Sequence, residues 1–206
     1  MTRPLLISDC DEVLLHMMQH FGAWLGSDHE IDFVPDMEDF SRSMRWRTNG
    51  EVVAKDRIWE LLDLFFENEM HRQTLVPHAL DALGAIGEVA DIVILTNLGD
   101  QFHPHRVAQL ESHGIRHHVI CNQGGKGAAV ARLLAERRPA ATVFVDDIAG
   151  HHASVADHAP DVWRLHMIAD AQIAGMTPPA PAAHARIDDW ANARHWILDR
   201  LTGAAS

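Results

Sequence analysis

Asp9-Cys10-Asp11 and Asp146-Asp147 each close a short apolar run, Leu5-Leu6-Ile7-Ser8 and Thr142-Val143-Phe144-Val145. A run rich in Val, Ile and Leu that stops at a polar residue reads as a buried strand of a parallel sheet. In open α/β sheets ligands bind outside the carboxyl ends of the strands. Both acidic pairs are therefore expected on one edge, in one crevice. At an effective dielectric of about 20, two unit charges about 4 Å apart repel by roughly 4 kcal/mol. A hard divalent cation with oxygen ligands, most simply Mg2+, would relieve that repulsion.

The elements that must position these groups follow from the remaining apolar runs. Ile92–Leu95, His118–Cys121 and Val162–Ile168 read as further strands. Helix-length amphipathic segments lie between them: Pro77–Ile86, His103–His113, Gly127–Arg137 and Ile148–His158. That alternation predicts βαβ units and a mostly parallel sheet. Asp188–Leu201 reads as a terminal helix capped by Asp188. Thr177–Ala183, rich in Pro and Ala, reads as an exposed connection.

The interval from Asp9 to Ile92 is longer than one crossover needs. Val13–Leu25 and Val52–His71 have helical periodicity, and an irregular acidic stretch, Ser27–Asp39, lies between them. The reading is a small, mainly helical insertion over residues 16–75, placed above the carboxyl edge where a lid belongs. The core is then residues 1–15 and 76–206. Arg42-Ser43-Met44-Arg45-Trp46-Arg47 is the basic cluster of this insertion. It is read first as a surface face pairing with Glu38 and Asp39, and second as a contact for substrate.

The chain has 206 residues, 47 % of them hydrophobic, and a formal net charge of -12. That charge argues against nucleic acid as a partner. No apolar stretch is long enough to span a bilayer, so no membrane partner is expected. Cys10 and Cys121 show neither a disulfide framework nor zinc spacing. With no signal-peptide pattern at the N-terminus, a cytoplasmic location is expected. The 16 histidines include His117-His118 and His151-His152, read as surface residues because neither pair has ligand spacing. Nothing in the sequence sets an oligomeric state.

Taken in order, the motifs resemble those of the haloacid dehalogenase-like (HAD) superfamily. Asp9-Cys10-Asp11 matches its Asp-x-Asp, and Thr96 in Ile92-Val93-Ile94-Leu95-Thr96-Asn97 matches its Thr or Ser at the end of the next strand. Lys126 in Gly124-Gly125-Lys126-Gly127 matches its lysine, and Asp146-Asp147 its acidic pair. The resemblance covers nearly the whole chain. It implies a Rossmannoid α/β core with a parallel sheet and a small helical cap after strand one. Lysine usage adds to it. Lys55 and Lys126 are the only lysines, and a compact ammonium fits between carboxylate and phosphate oxygens where a planar guanidinium does not.

The resemblance implies a Mg2+-dependent phosphomonoester hydrolase acting on a small phosphorylated metabolite. Asp9 would be the nucleophile, forming an aspartyl-phosphate. Asp11 would protonate the leaving oxygen and then help deprotonate water. Thr96 and the backbone N–H of Asn97 would bind phosphate oxygens, and Lys126 would neutralise charge on Asp9 and the phosphoryl group. Mg2+ would be held by Asp9, the Asp11 backbone carbonyl and Asp146, with Asp147 direct or through water. Phosphatases of this family usually carry Gly after the second Asp, where this chain has Glu12. The alternatives are a phosphotransferase, a 2-haloacid dehalogenase, or a non-catalytic binding or regulatory protein on the same scaffold.

Overall fold

The computed structural model describes residues 2–36 and 39–203. After β1 (Leu5–Ser8) the chain runs through β2 (Leu15–His16), α1 (Met18–Asp28), β3 (Ile31–Phe33), β4 (Met44–Trp46), α2 (Lys55–Leu64) and β5 (Thr74–Leu75). Helix and strand then alternate: α3 (Ala79–Gly87), β6 (Asp91–Asn97), α4 (His103–Ser112), β7 (His118–Asn122), α5 (Gly127–Arg137) and β8 (Thr142–Asp146). The last third holds α6 (Ala149–His158), β9 (Trp163–His166), α7 (Ala171–Met176), β10 (Ala185–Arg186) and α8 (Trp190–Thr202).

Six strands form one parallel sheet in the order β10-β9-β8-β1-β6-β7. β1 lies between β6 and β8, with Ser8 in register with Ile94 on one side and Val145 on the other. The two acidic motifs therefore leave the sheet on adjacent strands at the same edge.

The strands are apolar on both faces because helices cover both. Alternate side chains divide between two cores. Leu6, Ile92, Ile94, Val143 and Val145 pack with residues of α3 and α8. Leu5, Ile7, Val93, Leu95 and Phe144 pack with residues of α5 and α6. The result is a three-layer α/β sandwich. Trp190 at the start of α8 is buried and donates its indole N–H to the Val13 carbonyl at 2.7 Å, pinning the last helix beside the first motif.

The segment between β1 and α3 builds its own apolar cluster around Phe21, Trp24, Phe65, Ile58 and Leu61. β2 and β5, where the chain leaves and returns, pair antiparallel. Helix α2 ends in a wider π turn over Phe65–Glu69. The stretch read as irregular contains β3, which pairs with β4 as a short antiparallel ribbon. Three-residue strands are too short to display an alternating pattern.

Other local readings shift. Helix α1 begins at Met18, not Val13, because Leu14 and Leu15 donate to the Cys10 carbonyl in a tight turn. Asp189, not Asp188, caps α8 by accepting from Asn192 N; Asp188 accepts from Ile168 N and Arg186. The Thr177–Ala183 connection is not wholly exposed: Ala180 is buried and its N–H donates to His166 Nδ1 at 3.0 Å.

Candidate active site

Asp9 follows β1 directly, Thr96 and Asn97 end β6, Asp146 ends β8 and Lys126 precedes α5. Parallel strands put these ends on one edge, and the structure brings the groups into contact there. Lys126 is fully buried, with Nζ 2.6 Å from Asp9 Oδ1 and 2.7 Å from Asp146 Oδ2. The approach of α5 depends on Gly127, where a Cβ would collide with the Ser154 carbonyl on α6. Gly127 N also donates to Ser154 Oγ at 3.0 Å.

Charge at this edge is unevenly shared. Burial disfavours the Lys126 ammonium, but the Asp146 and Asp9 carboxylates hold its pKa above the ordinary value. Burial also opposes ionisation of Asp146; the charge of Lys126 and the His151 hydrogen bond outweigh it and keep that carboxyl below the usual range. At Asp9 burial prevails over Lys126, and the pKa rises to about 6. Asp147 is pushed well up, by burial and then by the charges of Asp146 and Asp9.

Asp9, Asp146 and Asp147 each offer a carboxylate oxygen, all within 4.8 Å of one another. One ammonium does not balance three carboxylates. The donor set is all hard oxygen, which suits Mg2+ better than a soft metal. Thr96 is buried, and its hydroxyl has no hydrogen-bond partner among the described residues. A buried hydroxyl of that kind costs free energy unless a ligand satisfies it.

Asn97 is held by a network invisible in the sequence. Its amide donates to the Gly124 carbonyl at 2.9 Å and lies 3.1 Å from His151 Nε2; its carbonyl accepts from Asn122 at 2.8 Å. His151 Nδ1 lies 2.9 Å from Asp146 Oδ1. The tautomer that fits donates from Nδ1 to Asp146 and accepts at Nε2 from Asn97. His151 and His152 are thus buried, not surface residues. His152 Nε2 lies 3.0 Å from the Asp146 carbonyl, and burial lowers its pKa to about 4. Their place on the first turns of α6, just past the acidic pair, was the available signal.

Asp11 is engaged differently. Its Oδ1 accepts from Gln73 Nε2 at 2.8 Å, and both oxygens accept from Arg106 Nη2, at 2.9 and 2.7 Å. Arg106 stands on α4, is fully buried, and also donates to Gln109 Oε1 and Cys10 Sγ. Gln109 in turn donates to Gln73 Oε1 and the Met70 carbonyl. Neither Arg106 nor Gln73 has a sequence signal linking it to the first motif.

Glu12 occupies the left-handed region at φ 57°, the conformation for which glycine is the ordinary choice. Its side chain supplies what glycine would not. Oε1 accepts from Met17 N at 2.8 Å and Met18 N at 2.7 Å, satisfying donors at the start of α1. Burial pushes its pKa up to about 7, against those two bonds.

The basic cluster pairs within the inserted unit, with Asp39 among its partners as first read. Arg47 pairs with Asp32 at 2.7 Å, and Arg42 with Asp39 at 3.4 Å. Arg45 donates to the Gly50 carbonyl. Glu38, the other expected partner, lies outside the described residues.

No family model matches the sequence, and no curated protein matches it either. Solved structures do. A haloacid dehalogenase-like family hydrolase from Xanthomonas campestris is similar at 15 % identity and TM-score 0.61, over 98 % of each chain. A haloacid dehalogenase-like protein of unknown function from Agrobacterium tumefaciens is similar at 16 % identity and TM-score 0.64, over 98 % of this chain and 99 % of that one. A Bacillus subtilis protein assigned as a HAD hydrolase and bound to magnesium is similar at 15 % identity and TM-score 0.62, over 96 % and 99 %. The six-stranded parallel sheet, its flanking helices and these likenesses together show that the chain has the haloacid dehalogenase-like hydrolase fold.

Proposed function

We propose that the protein is a Mg2+-dependent hydrolase of phosphomonoesters, acting on a small phosphorylated metabolite in the cytoplasm. The observation that carries this reading is the Asp9–Lys126–Asp146 chain of contacts at the carboxyl edge of the sheet. The unpartnered Thr96 hydroxyl and the magnesium bound in the Bacillus subtilis relative support it.

Asp9 attacks phosphorus, forming an Asp9 Oδ–P bond as the bond to the leaving oxygen breaks. Lys126 holds the Asp9 carboxylate in place and offsets the charge of the phosphoryl oxygens. Thr96 donates its hydroxyl to one of those oxygens, and the Asn97 backbone N–H to another. Water then attacks the aspartyl-phosphate and releases phosphate. Mg2+, held by the carboxylates of Asp9, Asp146 and Asp147 and the Asp11 carbonyl, would supply further positive charge to the phosphoryl group.

Asp11 would give a proton to the leaving oxygen and take one from water. Arg106 and Gln73 hold Oδ1 and Arg106 alone holds Oδ2 in this conformation, so release of either would free more of the carboxylate for proton transfer. Gln73 lies at the end of the inserted unit, next to β5. In this reading residues 16–75 form a lid, and movement at the β2–β5 pair would loosen the clamp. The two free cysteines suit a reducing compartment.

The same clamp is the observation that favours a second reading, a binding protein on this scaffold that does not turn its ligand over. Phosphate release from a panel of phosphorylated metabolites, with Mg2+ and with EDTA, separates the two. Metal-dependent release that Asp9→Asn abolishes supports the hydrolase. Ligand binding with no release from any member supports the binding protein. Metal-free turnover of 2-haloacids would instead revive a dehalogenase, which the presence of Asp11 argues against.

A further inference from the structure

We infer that the leaving group of the substrate carries a flat nitrogen heterocycle and no second anionic group. It would be held in a groove between α2 and the carboxyl ends of β6 and β7. The inference rests on the hydrolase reading for its phosphate end and on the groove for its ring.

The groove has a volume of about 540 Å³, within the usual range for a small-molecule site. It borders the candidate site: Asn97, which lines it, directly follows Thr96, and Gly124, which also lines it, stands two residues before Lys126. One side is aromatic. Trp59 projects from α2 and is 53 % exposed, although Ile58 and Leu61 on the same helix are buried in the inserted unit. Phe66 and Phe102 complete that side, their ring centroids 6.2 Å apart. Amides line it too, Gln101 and Gln123, which donate and accept hydrogen bonds in one plane.

Aromatic faces combined with amides suit a planar ring with a polar edge. The faces stack on the ring, and the amides satisfy its ring nitrogens and exocyclic groups. Charge narrows the class. Among the described residues, the only charged side chain lining the groove is Asp63. A second phosphate or a carboxylate on the leaving group would meet no cation there and would face the Asp63 carboxylate. An amino group or ring N–H would have an acceptor. A ring-bearing monoester such as a nucleoside monophosphate or a phosphorylated pyridine alcohol fits. An open-chain phosphate leaves the aromatic side uncovered, and a sugar bisphosphate brings the wrong charge.

The test compares uridine monophosphate, adenosine monophosphate and pyridoxal phosphate with glycerol phosphate and fructose bisphosphate. Phosphate release is measured with Mg2+ for the wild type and Trp59→Ala. Binding is measured by calorimetry in the Asp9→Asn background with and without Trp59→Ala. The inference expects ring-bearing esters to exceed the others in kcat/KM and in affinity by about tenfold or more. It expects Trp59→Ala to erase that advantage by lowering turnover and affinity for ring-bearing esters far more than for glycerol phosphate. Nucleotides preferred over pyridoxal phosphate, or the reverse, would identify the ring's source. Turnover without preference for a ring, or an equal effect of Trp59→Ala on all esters, overturns the groove assignment and leaves the hydrolase standing. Ring-selective, Trp59-dependent binding with no turnover by the wild type supports the groove and removes the hydrolase.

Discussion

Arg106 Nη2 donates to both carboxylate oxygens of Asp11, at 2.9 and 2.7 Å, from a side chain with no exposed surface. The charge of Arg106 has no other ion-pair partner among the described residues. Removing one member of a buried pair leaves the other uncompensated, at a cost of about 3–5 kcal/mol. Asp11 is 20 % exposed at its side chain, so solvent lowers the cost to that range's lower end or just below it. We expect Asp11→Ala to destabilise the protein by about 2–3 kcal/mol in urea without metal, and Asp9→Asn to do so by far less. An Asp11→Ala midpoint equal to that of the wild type would show that the pair contributes nothing to folding.

Glu12 explains why the chain tolerates a side chain where glycine is usual. Its carboxylate supplies two acceptors to the start of α1, and losing such a cap costs about 0.5–2 kcal/mol. Glu12→Gln keeps an oxygen acceptor and should stay within about 1 kcal/mol of the wild type. Glu12→Ala loses the cap and keeps the left-handed backbone, so it should fall about 2 kcal/mol below. Glu12→Gly relieves the backbone and should lie between them. Denaturant midpoints of the three give the ranking; Ala equal to Gln would remove the capping role.

The crowded carboxylates predict opposite effects of one substitution in the presence and absence of metal. Asp147→Asn removes a charge that burial, Asp146 and Asp9 all disfavour. The variant should therefore melt higher than the wild type in EDTA. Mg2+ should raise the wild-type melting temperature with the logarithm of its concentration above Kd. The same addition should raise that of Asp147→Asn markedly less. Identical Mg2+ responses would place the metal elsewhere.

His152 sets an acid limit. Burial lowers its pKa from 6.5 to about 4, so between those values the unfolded chain binds a proton that the folded chain does not. Stability from this group is complete above about pH 6.5 and is lost as pH falls toward 4, in total about 3 kcal/mol. His166, which packs edge-to-face against His152, is lowered in the same direction by burial. We expect urea midpoints to fall over this window, and His152→Gln to flatten the decline. An unchanged slope in the variant would assign the acid sensitivity to other groups.

The sequence by itself determined the order of motifs and the strands that carry them. An apolar run ending in Asp, or in Thr-Asn, is a local signal, and the alternation of such runs with amphipathic helices leaves few other architectures. Asp9, Thr96, Lys126 and Asp146 were legible for that reason: each stands at or just past the end of a strand, or just before a helix. Only the tertiary structure decided the strand order, which puts β1 between β6 and β8 and so sets Asp9 beside Asp146. It also decided that Arg106 and Gln73, 95 and 62 residues from Asp11, close on its carboxylate. His151 bridging Asp146 to Asn97, and Trp59 facing the ends of β6 and β7, are of the same kind. These are contacts between helices and strands distant in the chain. Their partners follow from how the layers pack, which no local pattern of polar and apolar residues encodes.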